Sequence, residues 1–184
     1  MKRHVFAALV SIFCVLPLQC ATLERLSLED MISKSTAIVR GKVTGSYAAF
    51  SGPIVYTHYA LQVSERLKGS VGSTVEVVVP GGSANGVRQS LAGTPAFDVG
   101  DEFVFFLWTG KSGLTQVIGL TQGLFRLAAD GSADPVVTRS ATRELMLDSS
   151  TGRPVKDQTL TMHLSQLRTR ISSGLASAGQ AVAK

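Results

Sequence analysis

A small, closed or partly closed antiparallel β-barrel, with a short helix before it and an amphipathic helix after it, is the fold class this sequence predicts. Three observations predict it. The stretch Tyr56–Pro80 alternates apolar and polar residues, then runs β-branched. Glu102–Trp108 (EFVFFLW) is apolar on both faces, as a strand buried on both sides must be. The remaining apolar runs are short and separated by glycine-rich turns, a pattern that closure suits because it removes exposed sheet edges.

In the central stretch, Tyr59, Leu61, Val63 and Leu67 occupy odd positions, while His58, Ala60, Gln62, Ser64 and Arg66 occupy even ones. Period-two alternation sends one set to a core and the other to water. Lys68-Gly69-Ser70 and Gly72-Ser73 punctuate the chain, and Thr74–Val79 resumes with Val75, Val77 and Val79 on one face. Pro80 ends the strand, since proline cannot donate to a ladder. An antiparallel pair follows.

Residues 1–21 read as a secretory signal peptide. Met1-Lys2-Arg3 is a positive start, Val5–Leu16 an apolar stretch and Pro17–Ala21 a short polar-leaning end. At roughly a dozen apolar residues it is too short to span a bilayer. Cleavage before Cys20, Ala21 or Thr22 is compatible with these residues. Gln19 sits where a lipobox wants a small residue, which argues against a lipid anchor on Cys20. The expectation is export to the periplasm or the extracellular space, with no stable membrane span. Cys14 and Cys20 are the two cysteines, so the mature domain has no disulfide and must stand on apolar burial. Without Lys2 and Arg3 the balance is 16 basic against 13 acidic residues, a mild +3 that does not imply nucleic acid.

The expected domains are a barrel over residues 22–148, then a linker and C-terminal helix over residues 149–184. Leu26–Ile32 opens with helix-start chemistry: Ser27 can cap the Asp30 amide, and Leu26 and Met31 are spaced as a hydrophobic staple. That helix is expected to end near Lys34. Thr36–Thr44 is the first strand, with Gly41 marking a bulge or bend. Residues 46–53 read as a loop carrying Tyr47 and Phe50. Residues 81–100 read as a loop without clear periodicity that holds Asn85, Arg88, Gln89, Pro95 and Phe97. Leu114–Leu120 and Gly123–Ala128 are further strands, and Asp130-Gly131 turns the chain into Pro135-Val136-Val137. Asp157 or Thr159 is expected to cap a helix whose Leu160, Leu164, Leu167, Ile171 and Leu175 repeat at three and four residues. From Ser172 the composition turns Ala/Gly/Ser-rich, and fraying is expected.

The mature chain contains no HExxH, no G-x-S-x-G and no Ser-x-x-Lys. Gly110-Lys111-Ser112 lacks the earlier glycine of a phosphate-binding loop, because position 105 is Phe105. Asp130–Asp134 lacks the later ligands of a calcium loop and reads as a hairpin turn. His58 and His163 stand on distant elements, so no metal site and no cofactor is expected. Asp98, Asp101 and Glu102 crowd one turn, where capping explains them as well as acid–base chemistry does. Arg40 and Lys42 near Tyr47 and Phe50 raise an oligonucleotide face, a ligand an exported protein seldom meets.

The runs TAIVRGKVTGSY, YTHYALQVSERLKG, STVEVVVPGG and FDVGDEFVFFL resemble a group of secreted bacterial proteins of unassigned role. In outline they are similar to the oligonucleotide/oligosaccharide-binding (OB) barrel of netrin-like domains and tissue inhibitors of metalloproteinases. The likeness spans residues 36–108 and implies an OB-like barrel. Those inhibitors depend on a mature N-terminal cysteine and several disulfides. Only Cys20 can occupy that place, and the disulfides have no counterpart, so the inhibitory function is not carried over.

The functional expectation is therefore an exported, non-enzymatic binding module for a protein or glycan. Its contact surface is expected on the two loops, with Tyr47, Phe50, Asn85, Arg88, Gln89 and Phe97 as binding candidates and no catalytic residue. Two alternatives stand beside it: an inhibitor or accessory of a co-secreted peptidase, and a hydrolase using His58 with a neighbouring carboxylate.

Overall fold

The structure, a computed structural model, describes residues 22–182. The signal segment, with Cys14 and Cys20, lies outside the described residues. Strand β1 (Thr22–Glu24) leads into helix α1 (Leu28–Lys34). Ser27 Oγ accepts from the Asp30 amide, and the Asp30 carboxylate accepts from the Ser27 amide, closing the capping box that the sequence predicts. Leu26 and Met31 are buried in one core cluster, as a staple requires.

Two long strands follow, β2 (Ala37–Ser51) and β3 (Ile54–Lys68). Their register runs from Ile38↔Lys68 to Ser51↔Ile54, with shifts at Arg40/Gly41 and Val43/Gly45. The bulge expected at Gly41 is there. The loop expected at residues 46–53 is not: those residues continue the ladder almost to its tip, since pairing satisfies backbone groups that a loop would leave to water. Strand β4 (Thr74–Pro80) pairs antiparallel with β3. The segment after it contains a small hairpin of β5 (Gly82–Ala84) and β6 (Val87–Gln89), turned by Asn85-Gly86 at φ 49° and 77°.

Strand β7 (Glu102–Thr109) pairs β2 along one edge. Its other edge divides. β9 (Leu124–Leu127) takes Phe103–Phe105, and β8 (Thr115–Val117) takes Leu107–Thr109. The expected strand over residues 114–120 is thus only three residues long before the chain turns. Beyond β9 come β10 (Val136–Arg139), β11 (Leu145–Leu147), β12 (Pro154–Val155) and β13 (Leu160–His163), then helix α2 (Leu164–Val182). The main sheet runs β13-β10-β9-β7-β2-β3-β4, and a side sheet runs β1-β11-β12 with β1 and β11 parallel.

The fold is mainly β, built on antiparallel sheets with two helices. β8 comes into contact with β4, yet among the described residues no hydrogen-bonded pairing joins them, and the closed barrel of the sequence reading is not found. Both faces of the main sheet contribute side chains to a buried core. Val39, Val43, Leu61, Val77 and Phe105 fill the concave side, with Tyr59, Phe97 and Phe103 stacked edge-to-face among them. Ile38, Val104, Phe106 and Phe125 face outward beneath α1 and α2. Phe105, Phe106 and Phe125 are fully buried, each contributing about 1.5–3 kcal/mol by leaving water.

The C-terminal helix begins later than its leucine spacing suggests. Leu160 and Met162 belong to β13, and the helix starts at Leu164. Neither expected residue caps it. Asp157 pairs with buried Arg139 at 2.6 Å, and Thr159 accepts from the Ala141 amide. Asp134 takes the capping role, accepting from both the amide and the hydroxyl of Ser165 at 2.8 and 2.7 Å. Leu164, Leu167 and Ile171 pack against the sheet as the periodicity predicts, and the helix runs on through the Ala/Gly/Ser-rich segment. No helix among the described residues is long and apolar enough to cross a membrane.

Candidate functional site

One end of the concave face stays open. A cavity of about 250 Å³ lies there, with Thr57, Tyr59 and Val79 of β3 and β4 as its floor. The β5–β6 hairpin forms one wall through Ser83 and Arg88, and the strap that follows forms the other through Thr94 and Pro95. Gly82 makes the close approach possible. Its φ is 133°, and a Cβ there would sit 2.5 Å from Thr57 Oγ1.

Gln89 fastens the hairpin to the main sheet. Its Oε1 accepts from the Val55 amide at 2.7 Å, and its Nε2 donates to the Pro53 carbonyl at 3.0 Å. Both amide groups are therefore committed to structure. The Arg88 side chain makes no ion pair or hydrogen bond among the described residues, and it is exposed at the cavity. Tyr59 is 6% exposed, with its ring against Phe97 at 4.8 Å, and its hydroxyl has no hydrogen-bond partner among the described residues. No Asp, Glu, Lys or His lines this cavity.

The structure divides the sequence candidates. Arg88 and Gln89 meet at the cavity, and Asn85 sits at the tip of their hairpin. Phe50 is 40% exposed near the β2–β3 tip. Phe97 is not a surface residue. It is buried among Tyr59, Phe103 and Phe105, where it pins the strap between two cavities. The second cavity, about 230 Å³, is bordered by Phe97, Phe103 and Arg126, whose guanidinium lies 4.4 Å from the Phe103 ring centroid.

Tyr47 lies apart, on the opposite face of β2. It stacks on its cross-strand partner His58 at 4.5 Å and 12°, and its hydroxyl donates to Glu76 Oε2 at 2.9 Å. His58 Nδ1 lies 2.9 Å from Glu76 Oε1. The bond to His58 and, after it, the bond from Tyr47 hold the Glu76 carboxyl below its ordinary range; the same carboxylate pushes the Tyr47 hydroxyl up. A histidine oriented by a carboxylate has the arrangement of a general base. A nucleophile is missing, since Tyr47 bonds Glu76 and no other hydroxyl bonds His58 among the described residues.

The acidic turn resolves into structural pairs. Asp101 binds Arg126 at 2.7 Å and accepts from the Asp98 amide, while Glu102 binds Arg40 at 2.6 Å. Among the described residues no group of three His, Cys, Asp or Glu is placed to hold a metal. Sequence reasoning did not single out Tyr59 as a site residue. Its alternation marked it as core, which it is, and nothing in the sequence signals that its hydroxyl borders a cavity.

No family model matches the chain, and no curated protein matches it.

Proposed function

We propose that this chain is an exported, non-enzymatic module, OB-like in outline, that recognises a protein or glycan at the open end of its concave face. One observation carries the reading: a cavity lined by the exposed, unpaired Arg88 side chain and by Tyr59, whose hydroxyl has no partner among the described residues, with no carboxylate beside them. Polar groups left without partners at a concave surface are groups a ligand can satisfy. The OB-like outline is supported by the contact of β8 with β4 around a filled interior. Export rests on the Met1–Ala21 segment alone.

Glycan and peptide arrays test the reading with wild type and Ser90→Trp, which fills the cavity from an exposed position at its rim. Binding lost in a variant of unchanged melting temperature supports it, and undiminished binding contradicts it. Arg88→Glu serves the same purpose if the tryptophan variant does not fold.

The hydrolase reading has its own observation, the His58–Glu76 pair on the opposite face. A substrate panel on which His58→Ala abolishes turnover would establish it, and equal turnover would remove it. The peptidase-inhibitor reading turns on Cys20. Mass spectrometry that finds the mature chain starting at Ala21 or Thr22 counts against it.

A further inference from the structure

The lining of the open cavity narrows the ligand class, on the reading that this cavity is the recognition site. Its only ionised side chain is Arg88, with no acid along the walls to neutralise it. A neutral ligand would leave that guanidinium to water, whereas an anionic oxygen pair matches its planar fork. The floor supplies the Tyr59 hydroxyl, and the walls carry the hydroxyls of Ser83, Ser90 and Thr94. Thr57 and Thr94 donate to main-chain carbonyls, so their oxygens remain free to accept. The apolar contribution comes from small side chains, Val79, Pro80, Pro95 and Ala96. At about 250 Å³ the space lies below the ~300–1,000 Å³ of drug-sized sites and takes one ring-sized unit.

We infer that the cavity takes an acidic sugar residue, with its carboxylate on Arg88 and its ring hydroxyls on Tyr59 and the wall serines. The opening to solvent allows that residue to be free or the end of a polysaccharide. Oligogalacturonate beside the monosaccharide distinguishes the two sources.

Calorimetric titration of the chain with galacturonate, galactose and acetate tests the inference. Galactose has the ring without the charge, and acetate has the charge without the ring. Galacturonate is expected to bind at least about tenfold tighter than either, because it alone combines the charge-assisted bond to Arg88 with the ring hydroxyl contacts. Arg88→Gln is expected to erase that preference and leave any galactose binding unchanged. Tyr59→Phe is expected to weaken binding of both sugars several-fold without lowering the melting temperature, since the lost hydroxyl bonds nothing inside the protein. Equal binding of galactose and galacturonate, acetate as tight as galacturonate, an unaffected Arg88→Gln variant, or no saccharide binding in the millimolar range would each overturn it. Those failures leave the broader recognition reading standing if an array ligand is still lost in Ser90→Trp. Array binding that survives in Ser90→Trp instead removes the broader reading.

Discussion

Arg168 of α2 holds Glu65 of β3 in a two-pronged grip, its Nε and Nη2 each donating to a separate carboxylate oxygen at 2.8 Å. The pair fastens the C-terminal helix to the longest hairpin of the sheet, across 103 residues of sequence. Both side chains are part-exposed, at 39% and 28%, so solvent screens much of the attraction. A double-mutant cycle with Arg168→Ala and Glu65→Ala is expected to give a coupling of about 1 kcal/mol. Each single variant should melt roughly 2–4 °C lower for every kcal/mol lost.

The buried pair behaves differently. Arg139 and Asp157 have side chains only 4% and 2% exposed, and Asp157 also accepts from the Thr142 amide at 2.9 Å. Removing one partner leaves a charge in the interior without its counter-ion. Asp157→Ala is expected to destabilise by about 3–5 kcal/mol in urea unfolding, well beyond Arg168→Ala. Arg139 makes this more severe, because its Nε and Nη1 already lack partners among the described residues.

Phe97 is expected to matter for folding before it matters for binding. It joins Tyr59, Phe103 and Phe105 into one aromatic cluster at 4.8–5.7 Å. Phe97→Ala removes those contacts and opens the partition between the two cavities, at an expected loss of about 3–5 kcal/mol. Faster proteolysis within residues 90–100 should accompany it, since the strap loses its anchor.

Stability is expected to fall as the solution is acidified. Glu29, Asp30, Glu76, Asp101, Asp134 and Asp148 all have carboxyls held below their ordinary values. The causes are hydrogen bonds, from Arg170 to Glu29, from Ser27 to Asp30 and from Ser150 to Asp148, which is lowered to about 2. A depressed folded-state pKa means the unfolded chain binds more protons, so these groups contribute stability above their ordinary values of 3.8 and 4.5. That contribution is lost as pH falls through the folded values. The urea midpoint should therefore hold near neutral pH and drop steadily below about pH 4.5, with Asp148 the last to protonate.

Local chemistry was readable where the deciding partners are close in sequence. Ser27 and Asp30 announce α1, Gly41 announces the bulge, and the alternation around Tyr59 and Leu61 sets their faces correctly. What the sequence did not disclose depends on distant pairing. Residues 46–53 look like a loop by composition, and only their register with β3 makes most of them strand. The start of α2 is set by Asp134, 31 residues upstream of the serine it caps, so leucine spacing alone placed it too early. Asn85-Gly86 carries a strong hairpin signal, but its flanking strands are three residues each, too short to show alternation. At the site, Arg88 was legible as a polar loop residue. The Tyr47–His58 stack arises from cross-strand register, which no residue pattern revealed.

Recognition at the mouth of the concave face is tested most directly by an NMR chemical-shift map with the tightest ligand from the arrays. The amides of residues 82–96 and Tyr59 are expected to move, with those of Tyr47, His58 and Glu76 unchanged. Shifts centred on Tyr47, His58 and Glu76, with the mouth silent, would contradict it.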